Sequence, residues 1–130
     1  MKKIVALTFL FLFALTSLAL ASEAKWHLIE GKPNNGVYVE TTTIKSYGKE
    51  GDKYLNFWHR YDVPKKGHIL VHCNLRTNNL NFLELDYFVY DNNGKLINRG
   101  NGSKNGWYKV KPGSKTELLM KKTVLYYNNR

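Results

Sequence analysis

From Tyr54 to Tyr61 the chain alternates, placing Leu55, Phe57, His59 and Tyr61 on one side of an extended segment and Tyr54, Asn56, Trp58 and Arg60 on the other. The stretch His68 to Thr77 does the same, with Ile69, Val71, Cys73 and Leu75 on an apolar face opposite His68, Leu70, His72, Asn74 and Arg76. A third strand is predicted over Leu80 to Asp91, with Leu83, Leu85, Tyr87 and Val89 sharing one side, and a fourth over Lys95 to Asn98. The connections carry turn chemistry. Pro64-Lys-Lys-Gly67 combines a fixed φ with a glycine, Asn78-Asn79 tolerates the left-handed region, and Asp91-Asn-Asn-Gly94 suits a tight reversal. Three consecutive hairpins make an antiparallel meander. Upstream, Trp26 to Glu30 and Gly36 to Thr41 read as short strands flanking Pro33-Asn-Asn-Gly36.

Beyond Asn98 the pattern changes. Gly100 to Gly106 is a glycine-rich loop, Trp107-Tyr-Lys-Val110 a short strand, and Pro112-Gly-Ser114 the entry to a helix. Ser114 and Glu117 have capping-box spacing. On a helical wheel Thr116, Leu119, Met120, Thr123, Val124, Tyr126 and Tyr127 form one stripe, which predicts an amphipathic helix lying on the sheet. The expected fold is therefore mainly β (α+β), an antiparallel meander sheet of about six strands with one C-terminal α-helix packed on it.

At the other end, Met1-Lys2-Lys3, an apolar run from Ile4 to Leu15 broken only by Thr8, and Ala19-Leu20-Ala21 have the layout of a secretory signal peptide. Cleavage after Ala21 is expected. The alternative is a retained membrane anchor, because the apolar stretch continues to Leu20. No cysteine follows the run, so lipoprotein acylation is unsupported. The expected organisation is a signal peptide over 1–21 and one domain over 22–130, exported to the periplasm, the outer cell surface or the medium.

With 130 residues the chain suits one small domain, and its single cysteine, Cys73, excludes an internal disulfide and any cysteine-based metal cluster. Charge changes the picture more. Without Lys2 and Lys3 there are 18 basic and 10 acidic side chains. Residues 22–91 balance, whereas 92–130 hold Lys95, Arg99, Lys104, Lys109, Lys111, Lys115, Lys121, Lys122 and Arg130 against Glu117 alone. Such an end can attract a polyanion or an acidic protein segment; a solvated, solubilising surface is the plainer reading.

Catalytic chemistry finds little support. There is no serine nucleophile elbow, phosphate-binding glycine loop or His-Glu-x-x-His, and Asp62, Glu84 and Asp86 are not marked out from ordinary strand-surface charges. His68 and His72 share a strand face but lie about 13 Å apart along an extended chain, so one metal ion needs His59 or His27 from another strand to join them. Neither metal nor cofactor is expected. Cys73 falls on the apolar face and reads as a small buried hydrophobe. In Trp107-Tyr108-Lys109-Val110-Lys111 aromatics alternate with lysines, which can form a binding strip. The expectation for Trp107 itself is that it plugs the interior between sheet and helix.

Taken in order, Trp26-x-Leu-Ile, Val37-Tyr-Val-Glu-Thr with Thr43-Ile-Lys, Cys73-x-x-Arg-Thr, Tyr90-Asp-x-x-Gly94, Trp107-Tyr and Pro112-Gly-Ser-x-x-Glu-x-Leu resemble the surface-adhesin protein E-like domain of bacterial envelopes. The likeness covers essentially all of 22–130. It implies an antiparallel sheet with a C-terminal helix on its concave face, self-association into homodimers, and binding of host matrix proteins such as vitronectin and laminin. It also implies a helix cysteine bonded to the sheet cysteine; here no sulfur stands near Val124, so the tether is missing. The combined expectation is a non-enzymatic binding protein whose partner, a host matrix protein or an acidic polymer, is met by Tyr108, Lys109, Lys111, Lys115, Lys121 and Lys122. The rival is a periplasmic accessory protein that recognises an envelope component, and a small hydrolase is a third reading. No nucleic acid is expected as partner.

Overall fold

The computed structural model describes residues 24–130, so the expected signal peptide lies outside the described residues. Seven antiparallel strands form one sheet: β1 (Trp26–Lys32), β2 (Asn35–Glu40), β3 (Lys45–Lys49), β4 (Asp52–Val63), β5 (Gly67–Arg76), β6 (Phe82–Asp91) and β7 (Leu96–Asn101). The one α-helix among the described residues, α1 (Lys115–Asn129), follows a short 3-10 turn at Ser103–Asn105. The order across the sheet is β1-β2-β4-β5-β6-β7, with β3 attached to β4.

The strand missing from the sequence reading is β3. Its residues, Lys45-Ser-Tyr-Gly-Lys49, are all exposed and carry no apolar alternation. It forms because β4 is twelve residues long and β2 pairs only with its Val63-proximal half, Val37 opposite Tyr61 and Val39 opposite His59. The other half, Asp52 to Asn56, is left for β3. The crossing from one half to the other is made by Thr41–Ile44 and held by Glu40. This buried carboxylate accepts bonds from the backbone N–H groups of Thr42 and Thr43 at 2.9 Å and from both hydroxyls, and Lys25 N–H adds a bond at 3.2 Å. Burial alone would raise its pKa, but these donors together outweigh it and hold the group below the usual glutamate value. Ile44 then drops into the core.

The three central hairpins appear as expected, Gly67 (φ 133°) and Gly94 (φ 77°) taking positive φ in their turns, but other residues share the task. Lys65 (φ 65°) does so in the β4–β5 turn, and Leu80 (φ 63°) rather than an asparagine does so after β5. Gly67 is required by space: a Cβ there would lie 1.9 Å from the carbonyl oxygen of Tyr90.

The face of Leu55, Phe57, His59 and Tyr61 continues through Leu75, Cys73, Val71 and Ile69 on β5. On β6 the alternation does not carry through. A register shift between Val71 and Cys73 inserts one extra β6 residue, so Phe82 and Glu84 lie opposite Leu75 and Cys73 while Tyr87 and Val89 lie opposite Val71 and Ile69. Leu83 consequently faces away from Tyr87 and Val89, a correction to the single stripe read from the sequence. The predicted strand at Trp107–Val110 is reduced to one bridge, Phe82 with Tyr108.

Helix α1 is capped as its spacing predicts: the Ser114 hydroxyl accepts from Glu117 N–H at 3.1 Å and the Glu117 carboxylate accepts from Gly113 N–H at 3.2 Å. Leu119, Met120 and Thr123 are buried on the sheet, with Val124, Tyr126 and Tyr127 packed alongside. In place of the disulfide that the resemblance implies, the described contacts are non-covalent. Thr123 reaches His59, Lys122 donates to Glu30 at 2.6 Å, and Tyr126 stacks on His27 at 4.5 Å.

Replacing Glu40 by leucine removes the shared acceptor of the part-buried bonds from Thr42, Thr43 and Lys25, and hydrogen bonds to a charged group are worth about 1.5–3 kcal/mol each. The expected loss is at least about 3 kcal/mol of unfolding free energy in urea titration, and a Glu40→Leu protein as stable as the parent would remove Glu40 from this role.

Candidate functional site

The sheet has two unequal faces. α1 covers the side of Leu55, Phe57, Cys73 and Leu75, while the opposite side carries Tyr38, Arg60, Trp58, His72, Leu70 and Phe88 without an element over it. Leu70, on that second side, is nonetheless fully buried. Around it Trp58 stacks on His72 at 4.6 Å and on Phe88 at 6.0 Å, so rings take the part that a helix plays on the other face. His72 Nε2 donates to Asn56 Oδ1 at 2.6 Å, and the Asn56 amide donates to Asn74 at 2.7 Å. Across the open face, Arg60 lies over the Tyr38 ring at 5.7 Å and bonds Asp62 through Nε at 3.2 Å.

The histidines do not converge. His59 is buried beneath α1, His68 and His72 lie on the open side, and His27 is against Tyr126. Among the described residues no three histidine, cysteine, aspartate or glutamate side chains are grouped to hold a metal ion. His59 has its own structural task. Thr123 Oγ1 donates to the Leu119 carbonyl at 2.9 Å, so it accepts from His59 Nε2 at 2.9 Å, and His59 Nδ1 faces the Tyr61 hydroxyl at 3.2 Å. Burial lowers the pKa of His59 to about 3 and so keeps the imidazole neutral, in which form Nδ1 accepts from the Tyr61 hydroxyl. Cys73 is buried beside it in the core, where burial first and the Glu84 charge second push the thiol up, against any nucleophilic use.

The residues of the expected binding surface are spread over two neighbourhoods. Tyr108 stacks on Phe82 at 5.2 Å, tied there by Phe82 N–H to Tyr108 O at 3.1 Å and Tyr108 N–H to Phe82 O at 2.7 Å. Lys109 and Lys111 follow on an exposed stretch and reach no carboxylate among the described residues. Lys115 and Lys121 line a cleft of about 460 Å³ with Glu30, Glu117 and Leu118. Here the charge is mixed. Lys121 pairs with Glu117 at 3.4 Å and Lys122 with Glu30 at 2.6 Å. The hydrogen bond from Lys122 is the main reason Glu30 sits below the usual glutamate pKa, with Gly31 N–H and Lys115 helping.

Trp107 overturns its expectation. It is 46 % exposed and stands on the open side, edge-on to Tyr54 at 5.9 Å, instead of plugging the interior. The reason is alternation: Phe82 faces the helix, its bridge partner Tyr108 shares that side, and the preceding residue must point the other way. The interior beneath the helix is instead occupied by Phe82 and Met120 with Leu80 packed against the cluster. Only the pairing of residue 108 with residue 82 fixes this outcome, and the sequence carries no mark of that register.

Comparison with protein-family models, with curated proteins and with solved structures finds no match to this chain. Among the described residues no helix is long and apolar enough to cross a membrane.

Because His59 is neutral when folded but titrates near 6.5 when unfolded, the unfolded chain takes up protons first as the pH falls. Stability from this source is complete above about pH 6.5 and declines from there toward pH 3. His68 and His72, also lowered chiefly by burial, act in the same sense. In a His68→Asn/His72→Asn background, unfolding free energy is expected to drop by about 1 kcal/mol per unit between pH 6 and 5. Adding His59→Phe should flatten that slope; urea titrations across this range that leave the slope unchanged would refute the assignment.

Proposed function

We propose that the protein is a non-catalytic binding module of the bacterial envelope, of the surface-adhesin protein E-like kind. On this reading it is exported and takes an acidic partner, a host matrix protein such as vitronectin or laminin or an acidic polymer, on its basic C-terminal surface. The observation that carries the reading is the uneven engagement of the lysines. Lys121 and Lys122 are bound to Glu117 and Glu30, while Lys109 and Lys111 stand exposed without a carboxylate and Lys115 borders them at the start of α1.

That division gives the surface two parts with different work. Lys122 stabilises the helix against β1 and contributes little free charge. Lys109, Lys111 and Lys115 retain their field for an incoming polyanion, and Tyr108, with one ring face on Phe82, adds a rigid aromatic edge beside them. Exposed charges act over about 8–10 Å at physiological salt, so attraction of this kind falls as salt rises.

Binding to immobilised vitronectin, laminin and heparin is expected to be saturable and to weaken steeply between low and physiological salt. A Lys109→Gln/Lys111→Gln/Lys115→Gln variant should lose at least tenfold in affinity. Lys121→Gln/Lys122→Gln should bind more nearly as the parent does and melt at a lower temperature. Equal, weak, salt-independent binding by parent and triple variant would refute the basic surface as the partner site.

A further inference from the structure

At the β3 end of the open face three aromatic rings meet. Tyr47 and Tyr54 are stacked at 5.2 Å with 14° between their planes, and Trp107 stands at 66° to Tyr54 with centroids 5.9 Å apart. Together they form two walls of a corner. Tyr54, Arg76, Asn81 and Trp107 line a cleft there of about 300 Å³, at the small end of ligand-sized clefts. Trp107 and Tyr47 are 46 % and 44 % exposed, and neither belongs to the core cluster beneath the helix. The place of Trp107 is set by the two Phe82–Tyr108 backbone bonds next to it.

The polar groups at the rim are oriented before any ligand arrives. Arg76 lies over Tyr54 at 6.0 Å and donates from Nε to Asp52 Oδ1 at 2.8 Å, which leaves its Nη groups uncommitted among the described residues. Asn78 donates to the same carboxylate oxygen at 3.4 Å. Asn81 is fixed through its backbone, N–H to Asn79 Oδ1 and carbonyl to Arg76 N–H, while its side-chain amide makes no hydrogen bond among the described residues. Asp52, on which Lys49 also acts, pairs with the guanidinium, so the lining itself offers donors and acceptors with its one charged side chain already partnered.

We propose that this corner binds one pyranose ring of a glycan. A pyranose has a face of C–H bonds, slightly positive, and a rim of hydroxyl or acetamido groups. The first matches the electron-rich face of Trp107 and the second the Arg76 and Asn81 groups at its edge. A wholly apolar ligand would leave those polar groups unpaired, and a polyanion would find Arg76 already neutralised by Asp52. The site is separate from the basic surface proposed above and does not depend on it.

The test is titration of the purified protein with chitohexaose, maltohexaose, cellohexaose and a heparin hexasaccharide, followed by calorimetry and tryptophan emission. Binding of at least one uncharged hexasaccharide is expected, with a change in emission and at least a tenfold loss of affinity in Trp107→Ala and in Asn81→Ala. The Lys109→Gln/Lys111→Gln/Lys115→Gln variant should keep that binding. Trp107 is exposed, so Trp107→Ala should retain the parent circular dichroism and melting temperature; Asn81→Ala provides a second, independent variant. Binding unaffected by either substitution, or no binding of any uncharged hexasaccharide, would each overturn the proposal, and either failure is distinguishable from failure of the basic surface, which is read from heparin binding and the lysine variant.

Discussion

One helix must serve a sheet wider than itself. α1 has fifteen residues, about 22 Å of length and about 10 Å of width, whereas six strands side by side span about 24 Å on each of two faces. It is laid where burial gains most, over Leu55, Phe57, Cys73, Leu75 and Phe82, and the opposite face has to close by other means. Aromatic side chains solve this because each hides much area while keeping a polar atom or ring edge in water. Leu70 becomes fully buried among rings on a face that no element of the described residues covers. The same economy leaves Trp107, Tyr47 and Tyr54 as a corner at the sheet's end that no element among the described residues covers.

The placement of that helix is fixed by polar contacts as much as by apolar ones. His59 on β4 and Thr123 on α1 are buried together, and with a neutral imidazole their hydrogen bonds run in one chain from the Tyr61 hydroxyl through His59 and Thr123 to the Leu119 carbonyl. A buried polar pair of this kind is costly when mismatched, so it selects one register of helix on sheet where the apolar stripe alone would accept several. Glu30 with Lys122 and His27 with Tyr126 extend the fit to β1. Glu40 fixes the other irregular part of the molecule, the crossing that lets β2 and β3 share one edge of β4. With these contacts the absence of a disulfide between helix and sheet leaves the helix held at several points along its length.

Local pattern determined the long central strands, their three turns, the capped amphipathic helix, the burial of Cys73 and the concentration of positive charge after residue 91. Each of these depends on side chains within a few residues of one another, where alternation, capping spacing and turn preference act directly. Tertiary structure alone decided the rest. β3 has no pattern of its own and exists because β4 offers an unpaired edge. The bulge that sends Leu83 and Tyr87 to opposite faces comes from register with β5, and Trp107 points outward because Tyr108 pairs with Phe82. The two-part division of the lysines follows from the approach of Glu30, 92 residues distant from Lys122. These outcomes are matters of pairing between distant segments, and a one-residue difference in register reverses which face every side chain meets.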